Sequence, residues 1–458
     1  MATSEQFEEP PITPLYVQQA PNDRIEYGAV SVELPGVNGG PALQATASFV
    51  EQFSQGPSLE VIVPVPESPN FVAGLHDAQA RMQQQKSKIT LSDYGTCLAG
   101  ICTHSAIERV VYHPDRSPVQ LRPASTEISK VIFHLFNWPA FRGPENYVLR
   151  TGTPPLQGAR GCGRFRLHVD EWIITVAEFR NSNEVIKRLH EDGGYAITHA
   201  GQIERMNGQC FSTEQLDELL ACLGYFFSFV LGRWSMPSLA VGFDDAGSRV
   251  YEHWGLGQTT AGHWSGGNSF FDIHHAELLP SLFAGFWRLW HQPIWHRPLT
   301  EAIYWYIGAN NTGSGVNVDS GLLFTQAALE LLSWTHCVLD KKMASKTMFE
   351  KRLNAAQKLR MLTSDLSIPN HIPATMTVLN NTPGSKWTDS MHVITDLRNG
   401  LVHPKSRTVP TPGTYFEAWK LSLWYIELII LRLSNYHEKY SNRLSNRYAG
   451  QVENVPWR

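Results

Sequence analysis

The chain has 458 residues, of which 42% are hydrophobic and 17% charged. This composition excludes a disordered or fibrous protein and gives room for roughly two or three domains. Residues 1–297 contain 21 Lys and Arg against 30 Asp and Glu, whereas residues 298–458 contain 17 against 12. A basic C-terminal part fits an RNA-binding module, although two differently charged solvated surfaces would give the same numbers.

The six cysteines lack the paired spacing of a zinc site, and the N-terminus shows no signal-peptide pattern. We therefore expect reduced thiols, a cytoplasmic location, and neither a metal nor another cofactor. The fold class predicted is α+β, with a β-rich N-terminal region followed by a helical domain.

Residues 1–22 are acidic and rich in proline, and we expect them to form a poorly ordered lead-in to a β-rich region over residues 23–297. Runs such as Ala45–Phe53 and Leu59–Val65 predict antiparallel strands in a sandwich or a curved sheet. Phe71–Gln85 is compatible with an interrupting helix. Later elements predicted are strands at Lys130–Phe136 and Arg164–Phe179, a helix at Glu184–Leu189, a strand pair turning at Ala200 and Gly201, a capped helix from Ser212 to Gly232, and a hairpin of Leu239–Phe243 with Arg249–Trp254.

Residues 251–297 contain five Trp and six His. These side chains could stack on RNA bases. The helical periodicity of Leu278–Trp290 instead favours a packing seam between two domains. The adjacent pair His274 and His275 lacks the spacing of a metal-binding helix, so no metal site is expected there.

From Pro298 onward the pattern is almost wholly helical, and we predict a helical domain at 298–447 and a tail at 448–458. The helices predicted are Leu299–Gly308, Asp319–Leu339, Ser345–Leu362, Asp389–Val402 and Tyr415–Leu433. Asp319 or Ser320 could cap the second of these. A proline-rich connection over residues 368–386 would leave a loop long enough to cover a site.

The run Ala418–Leu433 is the nearest approach to a membrane span, but it is short and contains charged residues. We therefore expect a buried core helix and no membrane association. Its apolar residues cover more of the circumference than a small bundle can bury, which indicates a subunit contact as well.

The most informative stretch is Asp396–Pro404, which reads Asp-Leu-Arg-Asn-Gly-Leu-Val-His-Pro. An apolar face at helical spacing is formed by Ile394, Leu397 and Leu401, and an opposite polar face by Asp396, Asn399 and His403. On a regular helix, Arg398 would lie about 140° from His403. Either Gly400 and Pro404 loosen the helix, or a second copy of the chain completes the pair.

Arginine followed five positions later by histidine is a weak signal, because about one chance occurrence is expected in a chain of this composition. Arg432 and His437 repeat the spacing. In the structural alternative, Arg398 pairs with a core carboxylate and His403 lies favourably at a helix C-terminus. Glu330 is a candidate partner for Arg398, although its stripe with Gln326 also fits a solvated helix face.

The segment Leu397–Pro404 resembles the signature of HEPN domains, small helical bundles of which many are metal-independent ribonucleases. Residues 298–447 resemble more specifically the ApeA-like branch, found in bacterial anti-phage and abortive-infection proteins. The segments that carry this similarity are Ala302–Tyr306, Ala327–Leu332, Trp424–Leu428 and Tyr436–Arg443. The resemblance implies that Arg398 and His403 are the catalytic pair and that Asn399 is the polar residue accompanying it.

The resemblance also implies an endoribonuclease in phage defence that acts as a homodimer, with the N-terminal region sensing a phage-derived trigger or restraining the enzyme. His403 would move a proton at the ribose 2′-hydroxyl or the 5′-oxygen, and Arg398 would hold the phosphate. Two alternatives remain: a HEPN scaffold that binds RNA or a phage protein without cutting, and a carbohydrate- or ligand-binding sandwich with a helical dimerisation tail.

Overall fold

The computed structural model describes the whole chain except residues 1–11, 35–41, 54–55, 65–86, 93, 107–108, 116–118, 122–126, 146, 152–157, 180–181, 263–268, 311–316, 404–410 and 446–447. It is an α+β structure, with a β-rich N-terminal region followed by a helical C-terminal region, as predicted. The helix suggested at Phe71–Gln85 lies outside the described residues.

The N-terminal strands form a closed antiparallel barrel rather than an open sandwich or sheet. Its strands are β1 (Ile25–Leu34), β2 (Leu43–Gln52), β3 (Ser58–Pro64), β4 (Ser87–Leu91), β5 (Thr96–Ala106) and β6 (Arg109–Pro114). The order around the barrel is β1-β2-β3-β6-β5-β4. Buried and exposed residues alternate along β1, as expected of a strand with one face in the core. A bulge bends β1 at Gly28, whose φ of 106° favours glycine.

A seven-stranded antiparallel sheet follows, which we call the central sheet. Its strands are β7 (Val119–Leu121), β8 (Lys130–Phe136), β11 (Arg164–Val169), β12 (Trp172–Glu178), β13 (Ile197–Arg205), β14 (Ser238–Phe243) and β15 (Arg249–Trp254), in the order β11-β12-β13-β8-β14-β15-β7. The described residues also form two small hairpins: β9 (Tyr147–Thr151) with β10 (Gly158–Cys162), and β16 (Lys439–Tyr440) with β17 (Glu453–Asn454).

The predicted strand pair turning at Ala200 and Gly201 is wrong, because both residues lie within the single strand β13. Gly201 is there for packing, since a Cβ on it would lie 2.0 Å from the ring of Phe133 on the neighbouring strand. The run Arg164–Phe179 is two strands rather than one, with Asp170 at a φ of 47° in the turn between them.

Residues 12–22, expected to be poorly ordered, pack against the central sheet. The backbone N–H groups of Leu15 and Tyr16 donate to Nε2 of His134 at 3.0 and 3.2 Å. Burial lowers the pKa of His134 to about 4, so its imidazole is neutral and able to accept them. The expectation of disorder is therefore wrong for residues 12–22, and residues 1–11 lie outside the described part.

Helices cover one face of the central sheet and then build the C-terminal region. They are α1 (Ser182–Asp192), α2 (Thr213–Leu231), α3 (Leu279–Trp290), α4 (His296–Asn310), α5 (Val318–Trp334), α6 (Lys346–Lys351), α7 (Ala355–Asp365), α8 (Thr377–Asn380), α9 (Ser390–Val402) and α10 (Pro412–Leu433). The capping box of Ser212 and Gln215 is confirmed, and α2 ends at Gly232 in the left-handed conformation.

Two local predictions in the helical region are wrong. Asn317 rather than Asp319 or Ser320 is the N-cap of α5, and it makes no side-chain capping bond. The helix predicted from Ser345 to Leu362 is divided into α6 and α7, because Asn354 forms a capping box with Gln357 and starts a new helix.

One continuous hydrophobic core joins the central sheet to the C-terminal helices, with members from Ile128 to Val455. The three tryptophans Trp287, Trp290 and Trp295 are buried in it, at 7%, 2% and 1% exposure. The packing-seam interpretation is confirmed for these residues, which are too buried to stack on RNA. A second core fills the barrel and extends to the central sheet through residues such as Phe136, Val241 and Trp254.

By length and composition, the helical stretch Val318–Asp340 could cross a membrane, and 56% of its most apolar window is buried inside the protein. The expectation that Ala418–Leu433 comes nearest to a span is thus wrong. Every residue from Leu421 to Leu431 in α10 is buried within a single chain. The apolar circumference of α10 is therefore covered without a partner and no longer argues for a dimer.

Candidate functional site

Helix α9, which carries the Asp396–Pro404 motif, is fixed at its start by an ion pair. Asp389 is its N-cap and accepts a bond from the backbone N–H of His392. Both Asp389 oxygens also accept bonds from Arg360 of α7, at 2.5 Å from Nε and 3.2 Å from Nη2. Burial opposes the charge on Asp389, but the hydrogen bonds from Arg360 and His392 lower its pKa overall. The helix is therefore anchored before the motif begins.

The apolar face of α9 points into the shared core as predicted. Ile394 and Leu397 are 0% and 2% exposed, and Leu401 is half-buried. On the polar side, Asp396 is half-buried and its Oδ2 accepts a hydrogen bond from Nε1 of Trp387 at 2.9 Å. Asp396 thus holds the indole of Trp387, from the preceding loop, against α9.

Arg398 is half-buried next to exposed Asn399. Its Nη1 donates to Oδ1 of Asn399 at 3.1 Å, and its buried Nε has no hydrogen-bond partner. Within the described residues, no carboxylate forms an ion pair with this guanidinium. The alternative in which Arg398 pairs with a core carboxylate therefore finds no support. The half-buried guanidinium of Arg398 keeps one donor, Nε, without a hydrogen-bond partner.

The helix continues regularly through Val402, and His403 is the residue at which the chain leaves it. The N–H of His403 still donates to the carbonyl of Asn399 at 2.8 Å, but φ is −124° and ψ is 75°. Pro404 explains this conformation, because a following proline disfavours the helical region. The departure begins at His403 itself and not at Gly400, which remains helical. The imidazole is exposed and makes no side-chain hydrogen bond with any described residue.

Tyr415, which was not predicted as a site residue, approaches the end of α9. A Cβ on Gly400 would lie 3.9 Å from the hydroxyl of Tyr415, at the start of α10. Burial raises the pKa of Tyr415, and the negative charges of Asp319 and Asp396 raise it further. The starts of α5 and α10 and the end of α9 therefore meet here, with Tyr415 as a protonated phenol beside the motif.

Glu330 does not serve as the partner of Arg398. Its Oε1 accepts a hydrogen bond from Gln326 at 2.6 Å, and no ion pair to Arg398 exists in the described structure. The reason is position along α5. Asp319 is close enough to Tyr415 for its charge to raise the pKa of that phenol, and Glu330 is eleven residues further on, or about 16 Å along the helix axis.

The arrangement offers one cation, one amide and one exposed imidazole at a helix end, with a tyrosine hydroxyl nearby. Such groups can bind a phosphate and exchange a proton near neutral pH. Among the described residues, no group of three or more His, Cys, Asp or Glu side chains could hold a metal ion. The structure joins Arg398 and Asn399 through their side chains, and it connects His403 to Asn399 only through the backbone.

Comparison with known proteins identifies the family of this chain. The SPbeta prophage-derived uncharacterized protein YopA of Bacillus subtilis (strain 168) is 30% identical over 344 residues, which cover 74% of this chain and 74% of that protein. The chain belongs to the YopA family. The family models described as the YopA central domain and the YopA C-terminal domain match residues 123–265 and 292–454. No solved structure matches the chain.

In the YopA family framework, the central-domain match begins just after β7 and covers most of the central sheet, and the C-terminal match contains α4 to α10 with the motif. The barrel lies before both. The helical-domain boundary predicted at residue 298 falls six residues inside the C-terminal match. Neither description mentions a HEPN domain, so that resemblance stays a prediction.

Proposed function

We propose that this chain is a metal-independent endoribonuclease of the HEPN type, with Arg398, Asn399 and His403 as its catalytic residues. The observation that carries the proposal is the guanidinium of Arg398, which is half-buried, has a buried Nε without a partner, and pairs with no described carboxylate. Keeping an arginine in this state costs stability. An anion supplied from outside would satisfy it, and the phosphate of RNA fits a planar, bidentate donor.

In this mechanism, the ribose 2′-oxygen attacks the adjacent phosphorus and the bond to the 5′-oxygen breaks. The products are a 2′,3′-cyclic phosphate and a 5′-hydroxyl, so neither a metal nor a water molecule takes part in the bond exchange. His403 removes the proton from the 2′-hydroxyl or delivers one to the 5′-oxygen. Arg398 stabilises the charge on the phosphorane, and Asn399 fixes the orientation of Arg398 through the 3.1 Å bond.

One chain supplies one motif histidine, whereas the reaction uses both an acid and a base. We therefore include a homodimer in the proposal, in which His403 of the partner subunit takes the second role. The exposed position of His403 would allow such a pairing. In the same proposal, the protein works in the bacterial cytoplasm and the region before residue 298 restrains the site until a phage-derived trigger binds.

The test is incubation of the purified protein with total RNA in EDTA, followed by analysis of the RNA ends. We expect cyclic phosphate ends, and no cleavage of DNA, which lacks the 2′-hydroxyl. His403→Ala should lose roughly 10²- to 10⁴-fold in rate, the usual contribution of a general acid–base group. His392→Ala is the matched control, because it removes a half-buried histidine from the other end of the same helix.

Arg398 should be examined as two variants. Arg398→Ala should abolish cleavage, and Arg398→Lys should restore little, because an ammonium cannot make the bidentate contact. Should His403→Ala cut RNA at the wild-type rate, or should cleavage need Mg²⁺, the mechanism is wrong.

A non-catalytic scaffold is the second candidate, and the isolation of the His403 imidazole favours it. Catalytic histidines are usually oriented by a second group, and none of the described side chains performs this task. RNA binding that depends on Arg398 without any cleavage by the dimer would support the scaffold.

A further inference from the structure

The central sheet has two faces with different coverings. Helices α2 and α3 pack on one face, where residues such as Phe133, Phe165 and Ile203 belong to the main core. On the opposite face, the barrel covers the end that carries Phe136 and Val241. The described residues leave the rest of that face uncovered, and a cleft of about 670 Å³ lies there, walled on one side by Ile12, Thr13 and Leu15 of the N-terminal segment. This volume is in the usual range for a small-molecule site.

The floor of the cleft is two rows of side chains that cross four or five strands. One row runs through Arg166, Thr175, Gln202 and Ile132, and the next through His168, Ile173, Glu204, Lys130 and Phe243. With neighbouring strands about 4.8 Å apart, the longer row spans roughly 19 Å. The cleft is therefore elongated.

The β11 end of the cleft is cationic. Arg164 and Arg166 point to the same face, and Arg164 is 7% exposed. Oε2 of Glu145 lies 3.4 Å from the Nε atoms of both arginines, further than the 2.7–2.9 Å of a good charge-assisted hydrogen bond. A phosphate, with more charge and more acceptor oxygens, could compete for these donors. Such an arginine pair stands out in a region whose net charge is negative.

The middle and the far end offer the remaining parts of a nucleotide site. Thr175 and Gln202 supply a hydroxyl and an amide, which can donate and accept hydrogen bonds. Ile132 and Phe243 supply an apolar floor, and the ammonium of Lys130 lies 5.7 Å from the centre of the Phe243 ring. An ordinary solvated sheet face has neither a wall beside it nor a buried arginine.

We propose that this cleft binds a nucleoside triphosphate, with its phosphates at Arg164 and Arg166 and its base towards Ile132 and Phe243. The proposal does not depend on the ribonuclease, because the cleft lies in the central sheet and shares no residue with the α9 motif. It gives the region before residue 298 a ligand class of its own.

The experiment is calorimetric titration of the full chain with ATP, GTP, CTP and UTP separately, and with inorganic pyrophosphate and adenosine. We expect at least one triphosphate to bind, and to bind at least tenfold more tightly than pyrophosphate or adenosine. Arg166→Gln should weaken that binding about 10- to 100-fold, the value of a hydrogen bond to a charged group. The Arg166 side chain is 27% exposed, so the variant should fold, which its melting temperature would check.

Arg205→Gln is the matched control. Arg205 belongs to the same sheet, pairs with Glu171 and lies over the Trp172 ring, outside the cleft. It should leave nucleotide binding unchanged. Absence of binding for all four triphosphates, equal affinity for pyrophosphate, or an equal loss in Arg205→Gln would each overturn the proposal.

Discussion

The buried ion pair between Glu427 and Arg443 provides the sharpest test of the fold. Glu427 in α10 is 0% exposed and Arg443 is 8% exposed. Arg443 donates to Glu427 from Nη2 at 2.5 Å and from Nε at 3.0 Å, and the hydroxyl of Tyr306 donates to the same carboxylate at 2.6 Å. Asn310 links the network to α2, because it accepts from Arg443 and donates to the carbonyl of Gly232.

Arg443→Met should lower the free energy of unfolding by about 3–5 kcal/mol, because it leaves the Glu427 carboxylate buried with one neutral donor. That is a large share of the roughly 5–15 kcal/mol that holds a domain folded. The double variant Arg443→Met with Glu427→Leu removes both charges, and we expect it to recover a substantial part of the loss.

Urea unfolding followed by tryptophan fluorescence is the assay, since α4 and α10 both contain tryptophans in the affected core. Arg458→Met is the control: Arg458 is exposed, its side chain bonds only Asn454 among the described residues, and the change should alter stability by less than about 0.5 kcal/mol. A loss below about 1 kcal/mol for Arg443→Met, or a double variant as unstable as the sum of its singles, would refute the reasoning.

Three further predictions concern α9. Gly400→Ala should stabilise the protein by about 0.5–1 kcal/mol in thermal unfolding, because the new methyl group meets only the Tyr415 hydroxyl, at 3.9 Å. The folded pKa of Asp389 lies below its unfolded value of 3.8, so its bond to Arg360 should stabilise the folded protein fully above pH 3.8 and lose this effect on acidification. The difference in stability between wild type and Asp389→Asn should therefore close below about pH 4. A difference that is independent of pH would contradict this. Light scattering should find a dimer whenever RNA is cut, with the two His403 residues within about 20 Å by spin-label distance, and an active monomer would exclude the paired site.

The sequence predicted the elements whose signals are local. The start of α9 at Asp389 and its apolar face follow from a capping side chain and helical periodicity, and both are as predicted. The failures involve distant partners. Part of strand β13 was predicted as a turn because it contains Gly201. This glycine instead makes room for the ring of Phe133, sixty-eight positions earlier in the chain, and no local pattern encodes that contact.

For the candidate site, too, local features could be predicted from the sequence and distant contacts could not. The motif on α9 is continuous in sequence, so its residue types could be identified, but the surroundings of Arg398 come from packing. The lack of an ion pair between Arg398 and any described carboxylate, and the position of Tyr415 beside Gly400, depend on how three helices meet. The cationic cleft had a local signal, the alternation of Arg164, Arg166 and His168, but only the folded sheet shows that the described residues leave part of that face uncovered.

The shared core has a consequence for how this protein can be divided. The matches to the central and C-terminal family models leave residues 266–291 between them, where a linker would be the natural assumption. That interval contains α3, whose Phe283 and Phe286 are both 0% exposed and pack against Phe226 of α2. A fragment beginning at residue 292 would lack these rings, and the hydrophobic surface exposed in their place would promote aggregation. The helical region is therefore not an independently folding domain, and a functional truncation would have to retain the central sheet against which it packs.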